Sequence, residues 1–159
     1  MTDPTHEQEL VRRRLLGFAP VCPPILPGQH HGRDLVLISK PGGLDLAQVD
    51  GIDALGQSLS IALTTGLGTD LFNTSFGFDG LRVLAEESHP GIARERVRIA
   101  VVQVLRQDAR VRRILDIELG DGAYGALAAG QRELAVRVGF ETVAGERVNV
   151  DLGTVVTHG

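Results

Sequence analysis

The spacing of apolar residues changes from a helical period to a strand period near residue 110, and this change limits the fold more than any other feature. Before it, Leu55, Leu59 and Leu63 recur at the spacing of one helical stripe. After it, Ile117 and Leu119 alternate with acidic residues, as in a strand with one buried face. Helices followed by strands predict an α+β fold, in which helices pack on one face of a small antiparallel sheet of three or four strands.

Two helices and a shorter helical turn are predicted between residue 41 and the change of period. The first begins near Ile52, and Gly66 or Gly68 can end it because glycine tolerates the left-handed conformation found there. The second begins at Pro90, a residue favoured in the first helical turn. A short helix is predicted over 81–87. The apolar face of the second helix carries Ala93, Val97, Ala100, Val101 and Val104.

Three strands are predicted after the change, arranged as an antiparallel meander. A glycine-rich stretch, 120–130, separates the first two strands, and Ala144-Gly145 supplies a turn between the second and the third. The alternating apolar residues of the three strands are Leu115, Ile117 and Leu119, then Leu134, Val136, Val138 and Phe140, then Val148, Val150 and Leu152.

Length and composition indicate a single domain with an aliphatic core. The chain has 159 residues, 43% of them hydrophobic, with no Trp and one Tyr. A net charge of −4 gives no electrostatic reason to expect binding to nucleic acid or to an anionic membrane. No apolar run approaches a membrane span, and the polar N-terminus predicts no secretory signal. The single cysteine, Cys22, fits a reducing compartment, so we expect a cytoplasmic protein.

The N-terminal quarter differs in composition from the rest. Residues 19–32 contain four prolines, two glycines and the pair His30-His31. Proline removes backbone donors and disfavours helix in the residue before it, so irregular chain is expected here. We therefore predict an extended N-terminal arm over 1–40, with a short helix near Glu7–Leu16, and a domain over 41–159.

Four short motifs occur in a fixed order between Leu46 and Leu152. They are Asp50-Gly51, Thr64-Thr65-Gly66-Leu67-Gly68, Asn73-Thr74-Ser75-Phe76-Gly77 and Asp108-Ala109-Arg110. In this order they resemble the baseplate wedge, or sheath-initiator, family of contractile phage tails, type VI secretion systems and contractile injection systems, once labelled "lysozyme-like". In the family, a proline follows the asparagine of the loop motif, and Glu-Pro-Arg stands at the end of the long helix. This chain has neither proline: the matching stretches are Asn73-Thr74 and, at the corner that ends the long helix, Asp108-Ala109-Arg110.

The resemblance implies a structural protein and not an enzyme. It implies a part that links the baseplate wedge to the first sheath ring and initiates sheath assembly by strand pairing. The implied partners are other wedge subunits and the sheath protein, with six copies of this chain in each particle. The alternatives are a generic α+β adaptor or binding module and a peptidoglycan hydrolase.

The resemblance also assigns roles to particular residues. Asp108 and Arg110 would dock neighbouring wedge subunits, and the alternative is an Asp–Arg pair within the chain that finishes a helix. In the loop, Phe72 and Phe76 are expected to pack on the core, while Gly77 lets the backbone turn where a Cβ would not fit.

The last strand is the predicted sheath-binding element. An unpaired sheet edge is a template for another strand, and the stretch from Arg147 to Val156 contains neither proline nor lysine to block it. The alternative is an ordinary last strand. The residues assigned to the edge are Arg147, Val148, Asn149, Val150, Asp151 and Leu152.

The sequence offers little for catalysis, metals or cofactors. A glycosidase needs two carboxylates on opposite sides of a sugar, whereas Glu86 and Glu87 are adjacent on one predicted helix. The pair His30-His31 lacks other ligands at metal-binding spacing. Gly66-Leu67-Gly68 is not followed by the Lys-Ser/Thr of a phosphate loop. We therefore predict no catalytic residue, no metal site and no cofactor.

Overall fold

The computed structural model describes residues 4–24, 32–121 and 132–157. These residues form four helices and seven strands. The helices are α1 (Pro4–Leu16), α2 (Gly51–Thr64), α3 (Gly80–Glu86) and α4 (Pro90–Gln107). The strands are β1 (Phe18–Pro20), β2 (Leu37–Lys40), β3 (Gly43–Leu46), β4 (Gln48–Asp50), β5 (Val111–Asp121), β6 (Arg132–Thr142) and β7 (Arg147–Thr157).

The main sheet is an antiparallel meander in the order β5-β6-β7. Helices α2 and α3 contact β7, and α4 contacts β5. One hydrophobic cluster joins the helices to the sheet, and Phe78, Val101 and Phe140 are among its fully buried members. The fold is α+β, as the sequence predicts. Two short antiparallel pairs, β1 with β4 and β2 with β3, complete it.

The apolar stripes predicted for the helices are the buried ones. In α2 the stripe Leu55, Leu59 and Leu63 is buried, and every residue of the face predicted for α4 is buried. Helix α4 begins with Pro90 in its first turn, as expected. These two faces place the C-terminal end of α4, and with it the Asp108-Arg110 corner, beside α2.

Strand β5 departs from the predicted alternation at Leu115. The register against β6 shifts between Ile114 and Asp116, which adds one residue to β5 relative to its partner. Leu115 is consequently 44% exposed, while Ile114 packs against the core and Ile117 is buried. The prediction that Leu115 faces the core is wrong, because strict alternation does not survive a bulge.

The described part of residues 1–40 is attached to the domain and is not simply extended chain. Leu16, at the end of α1, is fully buried in the core. The N–H of Gly51 donates to the carbonyl of Gly17 at 3.0 Å, beside the pairing of β1 with β4. The boundary predicted at residue 40 therefore does not coincide with a break in packing.

Strands β2 and β3 form an exposed antiparallel hairpin. The glycine-rich loop predicted over 120–130 lies largely outside the described residues, as do residues 25–31 of the predicted arm. Among the helices of the described residues, none has the length and apolar character that a membrane crossing requires.

Candidate protein interaction site

Asp108 and Arg110 form an ion pair with each other at the corner between α4 and β5. The Nε of Arg110 donates to Oδ1 of Asp108 at 2.8 Å, and Nη2 donates to Oδ2 at 2.6 Å. The backbone N–H of Arg110 also donates to Oδ1, at 3.0 Å. Of the two arrangements open at the level of sequence, the structure has the pair within the chain.

Arg110 also connects three parts of the fold. Its Nη1 donates to the carbonyl of Leu16 at 3.1 Å. This carbonyl belongs to the last turn of α1, where the carbonyls accept no hydrogen bond from within the helix. Its own carbonyl accepts a hydrogen bond from the N–H of Val143, in the turn between β6 and β7, at 3.0 Å. The end of α1, the α4–β5 corner and the β6–β7 turn therefore meet at one residue.

The environment of Asp108 favours its charged form. Partial burial by itself raises the pKa of Asp108, but the side-chain and backbone hydrogen bonds from Arg110 and its positive charge outweigh that effect. The net result is a pKa below the usual value. The carboxylate is therefore a structural anion and not a proton donor at neutral pH.

Phe78, and not Phe72, anchors the loop between α2 and α3. Phe72 is fully solvent-exposed, with a relative accessibility of 101%, so the prediction that it packs on the core is wrong. The N–H groups of Phe72 and Asn73 bond to Oδ1 of Asp70, which turns the chain outward at this point. Phe78 is buried, and its N–H donates to the carbonyl of Thr65 at 2.8 Å.

Two other residues of the loop behave as the sequence argument expects. Phe76 packs partly against the core. Gly77 has φ of +114°, and a Cβ added there would lie 2.8 Å from the carbonyl oxygens of Thr65 and Gly66. The sequence signal for Phe78 is its position directly after this constrained glycine, where the chain returns to the core.

The loop and the corner meet at one cavity. Phe76, Asp108 and Arg110 all line a cavity of about 350 Å³, whose other walls come from α2 and from the end of α4. Most of the lining is apolar, with Leu59, Ala62, Ile61 and Val104 among its residues. An apolar cavity with a fixed ion pair at its wall can accept an apolar side chain of a protein partner.

Strand β7 lies at one edge of the sheet, and β6 is its only strand neighbour among the described residues. The N–H of Thr142 donates to the carbonyl of Glu146, so these two residues form a hydrogen-bonded pair. Hydrogen-bonded and non-hydrogen-bonded pairs alternate along an antiparallel ladder. The backbone groups of Arg147, Asn149 and Asp151 therefore point away from β6, to the side of β7 where the described residues place no other strand.

The side chains of β7 follow the predicted alternation. Leu152 is buried, Val148 and Val150 pack against the core, and Arg147, Asn149 and Asp151 are exposed. Helix α2 supports the strand: Ser60 Oγ donates to the carbonyl of Leu152 at 3.2 Å. An added Cβ at Gly56 would lie 3.3 Å from Val150, so glycine lets the helix approach closely. None of the residues 147–152 lines the cavity.

The acidic residues Glu86, Glu87, Asp108 and Asp116 lie in different environments. Glu86 and Asp116 are exposed, and Asp108 is paired. A hydrogen bond from the N–H of His89 lowers the pKa of Glu87, whereas a general acid needs a raised one. Within the described ranges no three His, Cys, Asp or Glu side chains form a group that could hold a metal ion, and His30-His31 lie outside those ranges.

No family model matches the chain, and a search of curated proteins finds no matching sequence.

Proposed function

We propose that this chain is a structural baseplate component of a contractile injection machine. In this proposal the edge of β7 pairs with a strand of the sheath protein and initiates the sheath. The cavity beside Asp108 and Arg110 receives a wedge subunit. The protein assembles into a phage tail-like particle in the cytoplasm and has no catalytic role.

The observation that carries the proposal is the edge position of β7, which has β6 as its one strand neighbour in the described ranges. The strand has 11 residues, and its pairing with β6 is regular from Arg147 to Asp151, before a register shift at Leu152. These five residues, at ~3.3 Å per residue, give a regular template of roughly 16 Å. Its inner side chains are fixed by α2 and the core, so the outward backbone groups of Arg147 and Asn149 are held in a regular row. A rigid row of donors and acceptors favours β-augmentation because little order is lost when a strand is added.

The cavity supports the second part of the proposal. Its lining is mostly apolar, and Asp108 and Arg110 neutralise one another at its wall. An apolar anchor from a wedge subunit could therefore enter without leaving a charge unpaired. Here Asp108 and Arg110 shape the docking site and do not exchange partners.

The test uses proline and alanine at the same outward-facing position. Asn149→Pro removes an N–H that points to the open edge, whereas Asn149→Ala keeps that N–H and removes only the side chain. Each variant is assembled with the sheath protein and wedge subunits of the same organism, and sheath-bearing particles are counted by electron microscopy.

We expect Asn149→Pro to enter baseplates but to carry no sheath, and Asn149→Ala to behave as the wild type. Circular dichroism and thermal melting check that both variants fold. Full-length sheaths on folded Asn149→Pro baseplates would refute sheath initiation by β7. Failure of the wild type to co-purify with wedge subunits would favour the adaptor alternative.

A further inference from the structure

Helix α1 is anchored to the domain on the side that carries Leu16, which is fully buried there. Shallow clefts border the helix on its two flanks: Glu7 and Val11 line the cleft against the β6–β7 turn, and Leu10 lines the cleft against the start of α2. Arg12 pairs with Glu146 of the β6–β7 turn, and Arg13 lies 4.0 Å from Asp50. These contacts fix the rotation of the helix about its axis, so the side that faces away from the domain is defined.

The outward side carries two apolar residues between opposite charges. At 100° per residue, Glu7, Leu10, Val11 and Arg14 share one stripe, and Leu16 lies about 180° from Glu7. Leu10 is 54% exposed and Val11 is 49% exposed. Neither Glu7 nor Arg14 forms an ion pair or a hydrogen bond in the part of the chain that the structure describes. We call these four residues the α1 face.

We propose that the α1 face binds the same face of a second copy of this chain, with the two helices antiparallel. A two-fold axis between residues 10 and 11 places Leu10 against Val11 of the other copy. The same axis places Glu7 of each copy opposite Arg14 of the other. Both free charges are then paired and both apolar side chains are covered by one symmetry operation.

The charge order selects this arrangement over others. A parallel pair of helices would bring Glu7 against Glu7 and Arg14 against Arg14, which is unfavourable. A partner helix of uniform charge would satisfy one end of the α1 face and oppose the other. The antiparallel second copy is the occupant that complements both ends.

The contact is small, so the dimer should be weak and concentration-dependent. One 13-residue helix offers less surface than the roughly 1,600 Å² buried in a standard stable interface. We expect dissociation constants in the micromolar to millimolar range, which rise with salt because the charge pairs are exposed. This inference does not depend on the proposed baseplate function.

The test is a charge exchange measured by sedimentation equilibrium on the full chain, from micromolar to millimolar concentration at low salt. Glu7→Arg places two arginine side chains opposite each other at both ends of the contact, and Arg14→Glu places two glutamate side chains opposite each other there. We expect each variant alone to dimerise about tenfold more weakly than the wild type, because two exposed pairs are lost.

Mixing the two variants provides the decisive control. The Glu7→Arg variant has arginine at positions 7 and 14, and the Arg14→Glu variant has glutamate at both. One chain of each therefore forms opposite-charge pairs at both ends of the contact, so the mixture should dimerise more tightly than either variant alone. Melting temperatures of all variants should stay close to that of the wild type, since none of the four residues of the α1 face belongs to the hydrophobic core cluster. A wild type that is monomeric up to millimolar concentration would overturn the proposal, and so would dimerisation that the charge exchanges leave unchanged.

Discussion

Replacing Arg110 by alanine should destabilise the isolated protein, and the size of the effect follows from the contacts that are lost. The change removes two charge-assisted hydrogen bonds to Asp108 and one to the carbonyl of Leu16. It also leaves the Asp108 carboxylate, 16% exposed, without its counter-ion.

A hydrogen bond to a charged group contributes about 1.5–3 kcal/mol, and an unpaired buried group costs about 1–3 kcal/mol. Breaking a fully buried pair costs roughly 3–5 kcal/mol. Because water still reaches this pair, we expect a loss of about 2–3 kcal/mol in the free energy of unfolding. For a chain of this size that corresponds to a fall in melting temperature of roughly 4–12 °C.

Urea denaturation followed by circular dichroism measures this loss, with Arg113→Ala as the matched control. Arg113 also pairs with a carboxylate, Glu141, but its side chain is 61% exposed, so its removal should change stability by no more than about 0.5 kcal/mol. Equal effects of the two substitutions would refute the conclusion that the Arg110 side chain holds the end of α1 to the α4–β5 corner.

Three further predictions concern the corner and the loop. The lowered pKa of Asp108 contributes stability that is fully present above its usual value of 3.8 and is lost as pH falls through the lower folded-state pKa. Asp108→Asn should therefore lose less stability than the wild type as pH falls below 3.8 in urea titrations, and parallel curves of the two proteins would contradict this. Gly77→Ala should lower the free energy of unfolding by about 3 kcal/mol or more, because a strained φ adds to a clash of the new Cβ with two carbonyls. The control is Gly145→Ala, at φ +84° with open space around the added Cβ, which should lower it by only about 1–2 kcal/mol. Equal losses of stability in the two variants would show that the clash is unimportant. Phe72→Ser should change the free energy of unfolding by less than about 0.5 kcal/mol, whereas Phe78→Ala should lower it by about 3–5 kcal/mol. If thermal melting showed that Phe72→Ser is the more destabilising of the two, the assignment of Phe78 as the anchor of the loop would be contradicted.

The parts of the fold that the sequence predicts well are those in which one periodic face is buried. The stripe of α2 around Leu59 and the alternation of β7 around Val150 depend only on local spacing, and both match the structure. Leu115 does not match, because a bulge depends on how β5 pairs with β6. Local spacing carries no information about that pairing.

The candidate site is predictable in its residues but not in its contacts. Local motifs single out Phe76, Asp108 and Arg110, yet their common cavity arises from the packing of α2 against α4. The hydrogen bond from Arg110 to Leu16 joins residues 94 positions apart, which no local motif can indicate. The prediction for Phe72 is wrong because an aromatic residue in a loop need not face inward.

The hydrogen bonds of Arg110 also limit how a partner can use this corner. A partner carboxylate that took Arg110 for itself would have to replace three side-chain hydrogen bonds and leave Asp108 without a counter-ion. It would also free the end of α1 from the corner. The apolar wall formed by Leu59, Ala62 and Phe76 imposes no such cost, because covering it removes apolar surface from water. A wedge subunit that docks here should therefore gain its affinity from an apolar side chain in the cavity, while the Asp108–Arg110 pair stays intact as one of its walls.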